Sequence, residues 1–262
     1  MLVPEPVLAA AVAARRVVVV TGAGMSAESG VPTFRDAQTG LWERYAAEDL
    51  ATPEAWERDP AFVWAWYLSR FGAVGRVQPN AGHGAVARWA DLADRGARAA
   101  QHVAVVTQNI DDLHERAGSR DVLHLHGSLT SFRCGRCDTA YEGRIDVPEA
   151  EVERVDPPTC THCGGLVRPG VVWFGELLPL DAWERAVALV ETADLVVVVG
   201  TSGIVHPAAG LPVLARGAGA VVVEVNPRET DVSDVAHHVW RETAAGALPA
   251  LVAALEGLEE RA

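Results

Sequence analysis

The sequence predicts a parallel α/β fold carrying a smaller inserted module, and three observations support it. Short apolar, β-branched runs recur at Val17–Val20, Val103–Thr107, Leu195–Val199 and Val221–Asn226, the pattern of strands covered on both faces. The first run stops at a glycine-marked turn, Thr21-Gly22-Ala23-Gly24. Two Cys-x-x-Cys pairs, Cys134/Cys137 and Cys160/Cys163, then interrupt the chain with a composition unlike the rest.

With 262 residues, the chain has room for one large domain or a main domain with an insertion, and for a full core in either case. Its 49% hydrophobic content and 24 glycines fit an α/β globule and exclude a disordered one. The net charge of −13 argues against non-specific nucleic-acid binding, which needs clustered cations, and suits a basic polypeptide partner. All 22 basic residues are arginine, so no lysine of the chain's own can be acylated. The start, MLVPEPVLAAAVAARR, has its arginines after the apolar stretch, the reverse of a secretory signal. No apolar run approaches the ~20 residues of a spanning helix. A soluble, cytoplasmic protein is expected, with no membrane partner.

In chain order, Ala-rich Pro6–Arg16 is expected to be a helix that feeds the first strand. Gly22, Gly24 and Ala27 form a G-x-G-x-x-A turn, in which the glycines can take positive φ and bring backbone N–H groups to a pyrophosphate. A hydride-transfer enzyme would place a second strand with an acidic, ribose-binding residue about 20 positions on. Gly30–Asp36 fills that distance instead, with glycine and proline and no strand signal, as a lid would. Pro60–Phe71 reads as a buried helix with proline in its first turn. Tyr67 and Arg70 share a face of it; on the residues alone they are a core-margin tyrosine and a solvated arginine.

Pro79 to about Arg98 is expected to be a second helix. The strand Val103–Thr107 delivers Gln108-Asn109-Ile110-Asp111 at its C-terminal end, where ligands of open α/β sheets gather. Asn109 and Asp111 could cap the next helix, or recognise a carboxamide that both donates and accepts. Val122–Gly127 alternates like a short strand, which would put His124 and His126 on one face, and the residues alone do not choose between them. The four cysteines, with twenty-two residues between the pairs, signal a zinc ribbon over about 131–168, with disulfides as the alternative. Four thiolates leave no open position, so such a zinc is structural. Val171–Glu176 is expected to be a strand running into an exposed edge. Two further strands end in Gly200-Thr201-Ser202 and at Asn226, and Leu248–Leu258 closes as an amphipathic helix.

Taken together, GAGMSAESGVPTFRD, TQNIDDLHERAG, HLHG, the two cysteine pairs and VVWFGE resemble the sirtuins, NAD-dependent protein lysine deacylases, over Val17 to about Asn226. The resemblance implies a Rossmann-like parallel sheet with a smaller inserted zinc-ribbon plus helical module. Its NAD-binding body would be residues 1–45, 79–130 and 169–262, its helical part 46–78 and its zinc-ribbon module 131–168. It implies NAD as cosubstrate, held by Gly22, Ala23, Gly24, Ser26, Ala27, Glu28, Thr33, Phe34, Arg35, Trp42, Gln108, Asn109, Ile110, Asp111, Gly200, Thr201, Ser202, Asn226 and Ala244. Asn109 and Asp111 would form the nicotinamide pocket, with Phe34 screening the charged carbon from water, and His126 would be the general base with His124 structural. Cys134, Cys137, Cys160 and Cys163 would hold one structural zinc.

Ala51, Tyr67 and Arg70 match the acyl pocket of sirtuins that remove negatively charged acyl groups, where a guanidinium can hold a carboxylate bidentately. Val172, Trp173, Phe174, Gly175 and Glu176 would line an acyl-lysine peptide bound as an added strand. The implied reaction frees succinyl-, malonyl- or acetyl-lysine, giving nicotinamide and O-acyl-ADP-ribose. Two other readings share these residues: a mono-ADP-ribosyltransferase, and a non-catalytic NAD-sensing zinc module.

Overall fold

A computed structural model describes residues 2–31, 42–43, 45–93 and 101–259. In chain order these form α1 (Glu5–Ala13), β1 (Arg16–Thr21), α2 (Gly24–Ala27), α3 (Ala47–Leu50), α4 (Pro53–Arg58), α5 (Pro60–Arg76), α6 (Ala81–Ala93), β2 (His102–Thr107), α7 (Leu113–Arg116) and β3 (Val122–His124). Then come β4 (Gly127–Cys134), β5 (Val167–Val171), α8 (Leu180–Thr192), β6 (Leu195–Val199), α9 (Leu211–Gly217), β7 (Val221–Val225), β8 (His238–Trp240) and α10 (Ala244–Glu259).

Six strands make a parallel sheet in the order β3-β2-β1-β6-β7-β8. Successive valines of β1 point to opposite layers. Val17 and Val19 pack among α1, α6 and α10, whereas Val18 and Val20 pack among α8 and α9. Each such side chain withdrawn from water contributes roughly 1.5–3 kcal/mol, which is why four consecutive valines are stable here and would not be on a one-sided sheet. The chain reverses its direction of travel across the sheet between β1 and β6, so their C-terminal ends open a crevice at the switch point.

The second sheet is the antiparallel pair β4–β5, which carries the cysteine turns. Leu129 and Val171 from its strands join Trp173 in a cluster with Ala51, Phe62, Trp66 and Tyr67 of the helical segment. Asp59 and Thr52 cap α5 and α4 by accepting from Phe62 N–H (3.2 Å) and Ala55 N–H (3.1 Å).

Several sequence expectations change. The helix from Pro60 runs on to Arg76, while the helix expected over 79–98 is described only from Ala81 to Ala93, because residues 94–100 lie outside the described chain. Residues 122–127 are not one strand: β3 ends at His124, and Gly127, at φ +72°, opens β4. Residues 172–176 form a turn after β5, with Gly175 at φ +87°. Their β-branched and aromatic residues resemble a strand, but Trp173 packs into the helical cluster while Phe174 stays exposed.

Candidate active site

The crevice is built on close approach of two strand-to-helix turns. A Cβ on Gly22 would lie 2.7 Å from Thr201 Cβ, and one on Gly24 would lie 2.8 Å from Gly200 Cα. This corrects the expected reason for those glycines. Neither has positive φ; Gly200 does, at +61°. The N–H groups of Gly22 and Gly24 donate to Val199 O (3.0 Å) and Gly200 O (2.8 Å), so they lock the two turns together and are not offered to a pyrophosphate. What remains is a backbone cradle at the sheet's C-terminal edge that any side chain would fill.

Three strand ends are tied into one rim. Gln108 Nε2 donates to Thr201 Oγ1 (3.2 Å) and Asn226 Nδ2 donates to Thr201 O (3.0 Å). Ser202 O accepts from Asp231 N–H (3.3 Å), fixing the neighbouring loop. Glu28 accepts from Ala245 N–H (2.9 Å), so it closes the amino end of α10 beside Ala244.

Below the rim lies a buried polar network. Ser26 donates to Asp111 Oδ2 (2.9 Å) and accepts from Asn109 Nδ2 (3.2 Å), while Asp111 Oδ1 accepts from Leu113 N–H (3.1 Å). Asp111 thus binds the first N–H of α7, whose N-cap is Asp112, and is joined to Asn109 through Ser26. Burial raises its carboxyl above the ordinary value, partly offset by the Leu113 and Ser26 bonds. Sequence reasoning missed His83 and His114, whose rings stack edge-on at 4.8 Å beneath this pair. Asn80 N–H donates to His83 Nδ1 (3.3 Å), so Nε2 carries the proton towards Ser26 Oγ (3.4 Å). Burial pushes His83 down to about 4 and His114 down to about 3, so both are neutral near pH 7. The Asn80 capping of Gly82 (2.9 Å) was the one local signal that could have marked the segment.

The two histidines of the HLHG stretch separate cleanly. His124 bridges Asn109 O (2.9 Å) and Glu115 Oε1 (2.7 Å); burial lowers its pKa, but the Glu115 carboxylate and the Asn109 carbonyl outweigh this and raise it. His126 Nδ1 meets Gln108 O at 2.9 Å, which places the proton on Nδ1 and leaves Nε2 as a base. Burial lowers its pKa, partly offset by that carbonyl.

A small cavity, partly open to solvent, joins the two halves of the site. One wall is Ala23, Ser26, Asn109, Ile110 and Asp111; the other is Arg70 and Val74 of α5, with Val31 and Leu129 between them. Arg70 stacks on Trp66 (5.2 Å) and burial lowers its pKa, yet a guanidinium stays charged. Burial drives the Tyr67 phenol well above its ordinary value, so it stays a neutral donor. The 172–176 turn closes this side. Phe174 N–H donates to Ala51 O (2.8 Å), Val172 N–H to His126 O (2.9 Å), and the Trp173 ring lies 6.5 Å from Tyr67.

Some expected site residues are not brought together with the others. Glu176 forms a two-point ion pair with Arg168 (2.6 and 2.8 Å) and accepts from Trp173 N–H (2.8 Å), which occupies its carboxylate inside the protein. Arg168 itself lies 3.3 Å over the Trp173 ring. Trp42 packs edge-on against Phe62 (5.4 Å) in the helical cluster. Thr33, Phe34 and Arg35 lie outside the described residues.

Cys134, Cys137, Cys160 and Cys163 bring their sulfurs within 4.8 Å of one another. The contacts Cys134–Cys163 (3.5 Å) and Cys137–Cys160 (3.9 Å) are too long for disulfides and bracket the ~3.8 Å edge of a tetrahedron with Zn–S near 2.3 Å. The two knuckles are built alike, with Asp138 N–H and Gly164 N–H donating back to Cys134 O (3.1 Å) and Cys160 O (2.8 Å). Both Asp138 and Gly164 have positive φ. These donors fit a four-coordinate structural zinc.

Sheet order, with its switch point between β1 and β6, defines a doubly wound, Rossmann-like α/β protein with an inserted zinc-type module. Comparison with known proteins narrows that class. Residues 22–207 match the model of the Sir2 family, more than half of the chain, and the chain belongs to that family. It is 54% identical over 246 residues to the NAD-dependent protein deacylase Sir2 of Mycolicibacterium smegmatis, covering 94% of this chain and 99% of the relative. Against the NAD-dependent protein deacylase of Corynebacterium glutamicum it is 51% identical over 242 residues, 92% of each chain. Among solved structures, a Sir2 homolog–NAD complex superposes with a TM-score of 0.86 at 43% identity, covering 97% of this chain and 94% of that one. A Sir2 variant bound to a deacetylated p53 peptide and 3′-O-acetyl ADP ribose superposes with a TM-score of 0.81 at 30% identity, covering 97% and 98%.

Proposed function

We propose that this protein is an NAD-dependent protein lysine deacylase that acts on succinyl-, malonyl- and acetyl-lysine, with its substrates among cytoplasmic proteins. The observation that supports it is the shared cavity, which the buried Asn109 and Asp111 line together with Arg70, while the carbonyl of Gln108, next to Asn109, holds the His126 ring. Family membership and the deacylase activity named for relatives above 50% identity point the same way. In this reading residues 1–45, 79–130 and 169–262 form the NAD-binding body, 46–78 the helical part and 131–168 the zinc module.

When bound, NAD supplies an electrophilic ribose carbon with nicotinamide as its leaving group, and the acyl oxygen of the modified lysine is the nucleophile. Asn109 would donate to, and Asp111 accept from, the carboxamide, in a site where Ser26 fixes both side chains. His126 Nε2 would take the proton of a ribose hydroxyl; the Gln108 carbonyl keeps the imidazole in the tautomer that can do so. Arg70 and the Tyr67 phenol hold a terminal acyl carboxylate, and Ala51 leaves room for it. The zinc-type module holds Leu129, Val171 and Trp173 against α5 and takes no part in bond making.

The experiment is incubation of zinc-replete protein with NAD and acetyl-, malonyl- and succinyl-lysine peptides, followed by mass spectrometry. Deacylated peptide and nicotinamide in equal amounts are expected. Transfer of ADP-ribose to a protein with the acyl-lysine intact would favour a transferase, and an unchanged peptide and cofactor would leave only a binding module.

A further inference from the structure

The two walls of the cavity come from segments far apart in sequence, and one side chain ties them. Arg116, in the short helix α7 that follows Asp111, reaches across to the end of α5. Its Nη1 donates to Val74 O (3.1 Å), its Nη2 donates to Val77 O, and Asp112 accepts from Nη1 at 3.5 Å. Val74 lines the cavity one turn beyond Arg70, while Asp111, at the start of α7, lines it from the opposite side. Val74 O also accepts from Val77 N–H (3.3 Å), which closes the last turn of α5, and the guanidinium fork binds that carbonyl and the one just beyond the helix, Val77 O, at once. On its other side the chain beyond α5 is pinned by Asn80, which donates to Met25 O (2.8 Å) and Ser29 Oγ (3.1 Å) next to Ser26.

We infer that Arg116 is a positioning residue for acyl selectivity: by binding Val74 O and Val77 O it holds the Arg70-bearing helix at a set distance from the Asn109–Asp111 wall. This rests on the deacylase reading and adds to it a residue that touches neither cofactor nor acyl group. The physical expectation is asymmetric. A charged acyl chain must end where the Arg70 fork can meet both carboxylate oxygens, which tolerates little drift of the helix. A neutral acetyl group makes no such demand. Loosening the end of α5 should therefore cost desuccinylation more than deacetylation.

The test compares the zinc-replete wild-type chain with R116M, which keeps the stem and loses the donors, and R116K, which restores one cation. Steady-state kinetics on succinyl- and acetyl-lysine peptides are read beside amide hydrogen exchange over residues 70–77. The expected result is a fall of about tenfold in kcat/KM for the succinyl peptide and under threefold for the acetyl peptide in R116M. Faster exchange at the end of α5 and partial recovery in R116K should accompany it. An unchanged ratio of the two activities, whether both fall together or neither does, overturns the inference, as does unchanged exchange. A wild-type chain inactive on both peptides with NAD would defeat the deacylase reading first, a result the wild-type arm shows before any variant is compared.

Discussion

The Ser26 hydroxyl donates a 2.9 Å hydrogen bond to Asp111, joining the turn after β1 to the turn after β2 across the mouth of the sheet. Eighty-five positions apart in sequence, these residues are neighbours because the two parallel strands run in register from Arg16↔His102 to Thr21↔Thr107. The carboxylate is held in place and kept out of water, so it is available for a ligand at a cost to the unliganded protein.

That cost can be measured. Asp111 has a folded pKa raised above 3.8 by burial, so its favourable contribution is complete below pH 3.8 and is lost as pH rises through the folded value. Asp111→Asn should therefore raise the melting temperature at pH 7, with the gain vanishing below pH 3.8. Deacylation should fall by about a hundredfold. A variant less stable than wild type at pH 7 would show that the charge is well compensated.

The pair Arg168–Glu176 should behave in the opposite way. Burial pushes the Glu176 carboxyl up, but the Arg168 hydrogen bonds outweigh this and hold it below 4.5. Its stabilising contribution is present above pH 4.5 and is lost as pH falls through the folded value. Glu176→Gln should cost roughly 3 kcal/mol near neutrality, leaving a buried guanidinium without its counterion, and the deficit should shrink in acid. Thermal melts at pH 7 and pH 4 decide this.

His126→Ala should block deacylated product while nicotinamide exchange into NAD persists, because the base acts after the nicotinamide bond has broken. In the wild type, burial lowers the His126 pKa from 6.5, so the acidic limb of the kcat/KM–pH profile should lie below pH 6.5. A limb well above that value would assign it to another group.

Arg70→Met should reduce desuccinylation by about ten- to a hundredfold, the equivalent of one charge-assisted contact worth on the order of 1.5–3 kcal/mol. Deacetylation should change little. Equal losses would mean that the Arg70–Trp66 stack supports the helix and not the substrate.

Chelation of zinc, or Cys137→Ala, should unfold the β4–β5 module and release Leu129, Val171 and Trp173 from the α5 cluster. Loss of stability and of activity together, restored by zinc, is expected in calorimetry and peptide assays. Full activity in the metal-free chain would separate the module from the site.

The parts legible in the sequence were those with a local physical cause. Four valines in a row require cover on both faces, and cysteines at this spacing require a metal or a bridge; Gly22 and Gly24 marked a turn, but their reason, the close approach of Thr201 and Gly200, came only from the packing of the two turns. What was misread has the same explanation. Val172–Glu176 has strand-like residues, but Arg168 and the helical cluster draw it into a turn. His124 and His126 look equivalent by alternation, and only Glu115 on one and Gln108 O on the other distinguish them.

By itself, then, the sequence determined the parallel sheet, the cysteine module, the glycine-marked turn after β1 and the side chains available for chemistry. Tertiary structure decided which of them meet. His83 behind Ser26, Arg116 beneath Val74 and Arg70 facing Asp111 are partners brought together by strand order and helix packing. Periodicity reports only how each segment meets solvent and core, and it has no information on which distant segment will supply the missing hydrogen bond.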